Sequence, residues 1–365
     1  MKSGVKAITK MSAVLIALVI ILAVVAGYGW LRPPERVTEE VPVQATLEDL
    51  AKKEGTIVIY HAIDDPDMNN IIIPAFKKLY PWAEVKAIGM PLGTLTTRVI
   101  SEYKAGKVSA DVIIAALNAF MPAIKEGAVE AWKNPMEDLM NYPTESRDSN
   151  NIWHPAYMVP LVIVYRTDMI SPDEAPKSYE DLGDPRLKGK IGFSRPETLG
   201  DAGVVFAHLY GEMSESDWGS LMKAIVANEP VMTPSTSDAV QKLISGEVAV
   251  IIATVFDYMS LKKEGLPVEI VWPQPTIYVN SPCYLAKNAP HPNMAKLFIQ
   301  WLTSAAGQYA LADTGRPPLH PDLARATVLA GVLPPDVKLV LACSNNLDFY
   351  ENPGKWGDKF KEIFG

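Results

Sequence analysis

Apolar residues follow two alternating patterns along the central part of the chain. Short runs rich in valine and isoleucine are typical of buried strands, and between them apolar residues recur every three or four positions, as on one face of a helix. From residue 56 onward the patterns predict three strand and helix pairs. The predicted strands cover residues 56–62, 83–89 and 111–116, and the predicted helices cover 68–80, 94–104 and 119–126.

A second block of the same kind begins near residue 161. Its predicted strands cover 161–165, 190–194, 231–233, 248–255 and 268–273, with one helix starting near 202 and another at 237–245. A strand at 278–286 and a helix at 293–303 then indicate a return to the first block. Each block therefore predicts a mainly parallel sheet flanked by helices.

Two such blocks predict an α/β protein with two lobes, between which the chain crosses twice. We assign residues 46–158 and 274–365 to a discontinuous first lobe and residues 159–273 to the second. Open α/β sheets bind ligands outside the carboxyl ends of their strands. The sequence therefore predicts a ligand cleft between the lobes, and two crossings form a hinge that lets the cleft close.

The amino-terminal end has the pattern of an export signal. Residues 1–30 contain three lysines and no acidic residue, and residues 11–30 form an apolar run about long enough to span a bilayer. We interpret this segment as a signal peptide or an N-terminal membrane anchor, with 31–45 as a tether. The basic flank keeps that end inside, so the rest of the chain is expected to be extracytoplasmic, either anchored to the outer face of the membrane or released.

Charge and cysteine content narrow the possible partners. The formal charge of the 365 residues is −8, and −11 without the three leader lysines, which excludes nucleic acid as an expected partner. The hydrophobic fraction of 48% is ample for two cores. Cys283 and Cys343 are the two cysteines, and their spacing leaves open a disulfide or two buried thiols.

The chain carries no motif of a common enzyme class. HExxH, GxSxG, CxxC, P-loop and GxGxxG patterns are absent, and the five histidines are scattered. We therefore expect no catalysis, no structural zinc and no cofactor, although a metal ion fits as part of a ligand.

Five segments in order resemble the ferric-iron-type periplasmic solute-binding proteins of ABC importers (class II, family 1-like). These segments are TIVIYHAIDD, SADVIIAALNAFMPAIKEGAVEAW, PLVIVYRTDMISPDEAPKSYEDLGDPRLKGKIGFSRPET, STSDAVQKLISGEVAVII and LAKNAPHPNMAKLFIQWLTSAAGQ. The resemblance implies a periplasmic-binding-protein-like fold and a monomer that delivers a small molecule or metal complex to permease subunits. A ligand-sensing surface domain, or a transferase of similar fold, remains the alternative.

The resemblance does not extend to the iron ligands of that family. Its histidine position falls on Asp64, its glutamate position on Ala116, and its tyrosine pair on Phe256 and Asp257. Ferric iron favours anionic oxygen donors, and this set lacks the two phenolates. Direct binding of a bare ferric ion is therefore not expected.

The anion-binding positions of the family are matched better in this sequence than its iron ligands. They map to Thr198, Gly200, Thr236 and Thr254, with Ser235 beside them. Hydroxyls and amides at helix N-termini bind oxyanions, while ordinary N-capping is the alternative role of the same residues.

Two aspartates carry the expectation about the cationic side of the ligand. Asp64 and Asp257 follow strands of different lobes, so closure would bring two carboxylates to one metal ion or organic cation. His61, Phe256 and Tyr258 are the remaining candidates, the two aromatic rings as faces for an organic cation. A turn or cap role for the aspartates, and core packing for an aromatic ring, are the alternatives.

Overall fold

The structure is a computed structural model that describes residues 45–63, 65–344, 346 and 348–365, apart from the side chain of Glu145. These residues belong to one compact unit, 45–365. The predicted leader, nearly all of the tether and Asp64 lie outside the described residues. Within the described ranges no helix is long and apolar enough to cross a bilayer.

One continuous mixed sheet runs through the unit. Its strands follow the order β2-β1-β3-β10-β5-β8-β6-β7, with β4 and β11 on β10 and β9 on β5. The strands are β1 (Thr56–His61), β2 (Glu84–Gly89), β3 (Val112–Ile114), β4 (Val129–Glu130), β5 (His154–Arg166), β6 (Ile191–Ser194), β7 (Val231–Thr233), β8 (Val250–Thr254), β9 (Val268–Val271), β10 (Thr276–Ala286) and β11 (Leu339–Leu341).

Helices cover both faces of this sheet. The α-helices of five or more residues before β10 are α1 (Leu47–Glu54), α2 (Ile73–Leu79), α3 (Leu92–Lys104), α4 (Leu117–Lys125), α5 (Pro135–Leu139), α6 (Asp201–Glu212), α7 (Glu215–Ala227), α8 (Thr236–Ser245) and α9 (Val255–Lys263). After β10 follow α10 (Pro292–Leu302), α11 (Ala305–Asp313), α12 (Pro321–Ala326) and α14 (Pro353–Phe364), with the four-residue α13 (Asp348–Glu351) before the last. A helical turn and a π-helical turn, Asp65–Asp67 and Met68–Ile72, lead into α2.

Two long antiparallel strands join the lobes. The first half of β5 pairs with β10, and its second half pairs with β8 and β9 of the second lobe. Strand β10 continues to β3 of the first lobe. Both strands are rich in apolar residues, and every residue of β10 is buried. The remaining strands of each lobe are mostly parallel, so the predicted two-lobed α/β fold is confirmed.

Each lobe has its own core. In the first lobe the rings of Phe76, Phe298 and Trp301 meet edge to face or tilted, with centroids 5.1 to 5.4 Å apart, and hold α2 and α10 together. In the second lobe Phe193 packs edge to face on Phe206. Aromatic rings at these distances add to the apolar burial that stabilises each lobe.

The carboxyl-terminal helices pack on the second lobe, which differs from the assignment of residues 274–365 to the first. Trp356, Phe360 and Phe364 of α14 are buried in the same core as Phe193 and Phe206. The rings of Phe206 and Phe364 stack with centroids 5.7 Å apart. The amphipathic face of α14 finds its apolar partners in the second lobe, so the chain crosses once more after α11.

The two cysteines are buried free thiols in different cores. Cys283 lies in the first lobe and contacts the main-chain oxygen of His154, while Cys343 contacts that of Val204. Burial raises the pKa of both thiols. Of the two possibilities that the sequence left open, the structure has the free thiols.

Candidate functional site

A cavity of about 360 Å³ lies where the two lobes meet across β5 and β10. The first lobe contributes Ala62, Leu92, Ala116, Asn118 and Ala119. The through-strands contribute Tyr157, Val159, Val279 and Ser281. The second lobe contributes Thr198, Leu199, Gly200 and Asp201. Its volume is at the small end of ligand pockets, which fits a compact solute.

Three helix N-termini converge on this cavity. Leu92 begins α3, Ala116 caps α4, and Gly200 caps α6, and all three line the cavity. The first-turn amides of a helix have no partner within it, and the helix dipole makes that end positive. The convergence of three such ends gives the cavity several donors for an anionic group.

The turn before α6 exposes its backbone to the cavity. Thr198 donates its hydroxyl to the main-chain oxygen of Arg195, at 2.7 Å, and Leu199 adopts a left-handed conformation with φ of 58°. A side chain on Gly200 would lie 3.1 Å from Oγ of Ser194. Glycine therefore lets the chain pass close over Ser194.

Asp201 joins the turn to two neighbouring helices. Its Oδ2 accepts the hydroxyl of Thr236, the first residue of α8, at 2.7 Å. Burial and the nearby charge of Asp257 raise the pKa of Asp201 to about 6, against the lowering effect of the Thr236 hydrogen bond. Thr236 and Asp257 were predicted from the sequence, whereas Asp201 was not.

Asp257 and Thr254 form a reciprocal cap at the start of α9. Oδ2 of Asp257 accepts from the amide and the hydroxyl of Thr254, at 2.9 and 2.8 Å, and Thr254 accepts the amide of Asp257. Burial raises the pKa of Asp257. Ser235 has a similar capping role on α8, since it accepts the amide of Asp238. Neither Ser235, Thr254 nor Asp257 lines the cavity, so the structure gives all three a capping role.

The remaining predicted residues lie behind the cavity walls. His61, at the end of β1, is fully buried, and its Nδ1 lies 2.9 Å from the main-chain oxygen of Ile63. Phe256 packs against the core of the second lobe. The hydroxyl of Tyr258 donates to Glu269 on β9, at 3.3 Å. Of the predicted residues, Thr198 and Gly200 line the cavity, Thr236 contacts it through Asp201, and His61, Phe256 and Tyr258 do not line it.

Four polar side chains of the cavity were not predicted from the sequence, those of Asn118, Tyr157, Asp201 and Ser281. Asn118 follows the strand at 111–116 and Ser281 lies within a through-strand, while Asp201 directly follows the predicted glycine. Oδ1 of Asn118 is buried and accepts no hydrogen bond from the described residues. The carboxyl end of a strand was the signal for Asn118, because ligands of α/β sheets bind there.

The described residues hold no cluster of three or more histidine, cysteine or acidic side chains suited to a metal ion. Of the two predicted metal ligands, Asp64 lies outside the described residues and Asp257 is engaged in its cap. The described part of the cavity therefore presents helix ends, hydroxyls and one carboxyl.

Known proteins match parts of the described unit. The family model described as bacterial extracellular solute-binding protein matches residues 72–332. A probable ABC transporter periplasmic-binding protein of Sinorhizobium fredii is 28% identical over 158 residues, 40% of this chain and 43% of that protein. A putative 2-aminoethylphosphonate-binding periplasmic protein of Salmonella typhimurium is 23% identical over 215 residues, 56% of this chain and 60% of that protein. The chain thus matches about two fifths to three fifths of the length of these curated relatives.

Solved structures share the fold. Iron-bound HitA from Pseudomonas aeruginosa superposes with a TM-score of 0.70 at 19% identity, over 84% of this chain and 99% of the other. AfuA from Actinobacillus pleuropneumoniae, with fructose-6-phosphate bound, superposes with a TM-score of 0.67 at 22% identity, over 85% and 99%. At these identities the likeness concerns the two-lobed fold.

Proposed function

This chain belongs to the bacterial extracellular solute-binding protein family, and from that premise we propose that it captures a small solute in the cleft and delivers it to an ABC importer. The expected partners are the permease subunits of such an importer. The protein acts outside the cytoplasm as a monomer, and binding is its whole activity. The predicted leader would export it and, if retained, tether it to the membrane.

The convergence of three helix N-termini on one cavity carries the proposal about the ligand. Unpaired amides of α3, α4 and α6 favour an anionic group such as a phosphate, phosphonate or carboxylate. Oδ1 of Asn118, which accepts no hydrogen bond from the described residues, adds an acceptor for a hydroxyl or other donor elsewhere on the same solute. A buried polar group without a partner is costly, so a ligand that bonds to it gains affinity.

The ligands of related proteins agree with an oxyanion. The relative from Salmonella typhimurium is named for 2-aminoethylphosphonate, and AfuA was solved with fructose-6-phosphate. Both compounds carry a phosphorus oxyanion. Bare ferric iron is disfavoured because Ala116 and Phe256 stand at two of the four family ligand positions.

Native mass spectrometry of the full-length chain, purified without refolding, is the direct test of capture. A trapped solute would appear as a mass increment that disappears on denaturation, and elemental analysis would report phosphorus or iron. The function would be disproved if no solute co-purified and none of a panel of phosphates, phosphonates, carboxylates and ferric complexes raised the melting temperature.

A pair of variants tests the site within the protein. Asn118→Ala removes the unsatisfied amide, and we expect binding of the retained solute to weaken about tenfold, as for loss of a hydrogen bond of about 1.5 kcal/mol. Asn352→Ala is the control, since Asn352 is exposed and its side-chain amide donates to Asp348 within its own segment. Equal affinities of the two variants would place the solute elsewhere.

A further inference from the structure

We propose that Asp201 recognises a cationic group, an ammonium in the simplest case, on the same solute, so that the cleft selects zwitterions over plain anions. This inference rests on the proposed function and assigns its substrate class. Asp201 would be a specificity-determining residue that the family resemblance did not supply.

The carboxyl of Asp201 is held in position by the fold. It belongs to the first turn of α6, lines the cavity, and bonds through Oδ2 to Thr236 of α8. Among the described residues, no donor bonds to its Oδ1. One oxygen therefore fixes the side chain, and the other is available for a donor in the cavity.

The carboxyl in the described part of the cavity belongs to the second-lobe wall. Of the described residues that line the cavity, Asp201 is the only acidic one and none is basic. Asp257 adds negative charge behind the second-lobe wall. Arg316 lies over the ring of Tyr157, 5.7 Å from its centroid, but is paired with Asp67. The N-termini of α3 and α4 make the first-lobe wall positive, so a small bipolar solute matches both walls.

A buried hydroxyl lies behind the second-lobe wall of the cavity. Ser194, at the end of β6, is 2% exposed, and its Oγ has no hydrogen-bond partner among the described residues. The position of a Cβ on Gly200 lies 3.1 Å from this oxygen, so the hydroxyl points at the start of α6 where that glycine lines the cavity. Buried hydroxyls are normally satisfied, so Ser194 leaves a polar atom without a described partner directly behind the wall that Gly200 forms.

Simple stabilisation of α6 is a weaker explanation for Asp201. An acidic residue in the first turn favours a helix through the dipole, as exposed Asp238 does on α8. Asp201 is instead placed against a second helix and beside a second carboxyl, which disfavours its charge. A cationic ligand would remove that repulsion.

Calorimetry with two matched ligand pairs tests the inference on the full-length chain at pH 7.5. The probes are 2-aminoethylphosphonate against ethylphosphonate, and β-alanine against propionate. We expect the parent to bind an amine at least tenfold more tightly than its amine-free partner. Asp201→Asn should reduce that ratio to about one without weakening the amine-free probe. Asp238→Asn, a carboxyl at the start of a helix but away from the cavity, should keep the parental ratio.

Several results would overturn the inference. The parent could bind the amine-free probes equally well, or bind neither amine, or the Asp201→Asn variant could keep the preference. The capture of any other solute would still support the proposed function, whereas absence of all binding would disprove that function itself. Circular dichroism establishes that the Asp201→Asn variant is folded. Its melting temperature is expected to be higher than that of the parent, so a loss of the preference for amines would not result from unfolding.

Discussion

At the scale of single residues, Asp201 lies in surroundings that disfavour its charged form. Burial and the charge of Asp257 raise its pKa to about 6, although a hydroxyl bond and the start of a helix favour the carboxylate. A carboxyl whose pKa is higher in the folded state than its ordinary value of 3.8 stabilises the folded protein, and this stabilisation is fully present below pH 3.8. This contribution is lost as the pH rises through about 6.

The first prediction concerns the stability of Asp201→Asn without ligand. The amide keeps an acceptor for Thr236 and removes the buried charge, so the free energy of unfolding should rise by about 1–2 kcal/mol at pH 7.5. A pKa raised by about two pH units limits this gain to about 3 kcal/mol. Solvent screening at the partly exposed carboxyl makes the gain smaller than that limit. Urea unfolding at pH 7.5 and pH 4 measures the effect. The gain in unfolding free energy should vanish at pH 4, where the parent carboxyl is protonated in the folded state. An equal gain at pH 4 and pH 7.5 would contradict the prediction.

The second prediction concerns the coupling between the two carboxyls. Asp257→Asn removes the charge that helps to raise the pKa of Asp201, so that pKa should fall below about 6. Carbon-13 NMR of the side-chain carboxyls reports the titration of Asp201 in parent and variant. Asp238→Asn is the control, because Asp238 is exposed and does not contribute to the shift. A midpoint unchanged by Asp257→Asn would show that burial alone raises it.

The residues of the site were predicted unevenly, for a physical reason. Thr198, Gly200 and Thr236 follow from turn and cap chemistry, which is local in sequence. The role of Asp201 depends on Thr236, 35 residues further along, and the burial of Ser194 depends on the path of Gly200 above it. Such contacts arise only when strands are placed side by side, and a linear pattern does not contain them.

At the scale of elements, the last helix completes the core of the second lobe. Phe360 of α14 is fully buried beside Trp218 and Trp356, with ring centroids 6.4 and 5.7 Å away. Nζ of Lys359 lies over the rings of Tyr210 and Trp218, at 4.0 and 4.9 Å from their centroids. These contacts attach α14 to α6 and α7.

The third prediction tests that attachment. Phe360→Ala leaves a cavity in the core and should lower the free energy of unfolding by about 3–5 kcal/mol, whereas Phe360→Leu should cost less because it keeps most of the volume. Chemical denaturation measures both. Tyr309→Ala, at a half-exposed ring of the first lobe, is the control for loss of an aromatic group. A loss for Phe360→Ala no larger than for this control would mean that α14 is not part of the core.

Most strands before residue 303 were predicted, as were α2, α3, α4, α6, α8 and α10, because the apolar residues of each follow a single period. Helices α1, α5, α7 and α9 were not predicted. Strand β5 is longer than predicted, since its first half, from His154, contains proline and few β-branched residues. The last two helices, α13 and α14, were assigned to the wrong lobe because amphipathic spacing indicates which face is buried, but not against which lobe. Lobe membership is decided by packing between distant segments.

At the scale of the whole molecule, the lobes already touch beside the cavity. Ala116 and Met121 of the first lobe pack against the core of the second, and Nζ of Lys125 on α4 donates to the main-chain oxygen of Glu351. The walls of the cleft are thus in contact in this structure. Release of a solute requires these contacts to separate.

The fourth prediction follows from those contacts. Without solute the lobes should separate in part of the population, and a saturating solute should reduce the radius of gyration and narrow its distribution, because binding favours the closed state. Small-angle scattering of the full-length chain with and without the solute identified by mass spectrometry measures the change. Identical curves in both conditions would exclude closure as the response to binding.

The two long strands that connect the lobes have a consequence for proteolysis. Because β5 and β10 are buried and hydrogen-bonded along most of their length, neither strand is an exposed linker that a protease can cut. Cleavage should begin in surface loops within a lobe rather than divide the molecule into two halves. A nicked protein would remain held together by the sheet, so the bilobed receptor can survive damage that would cut apart two domains joined by a flexible hinge.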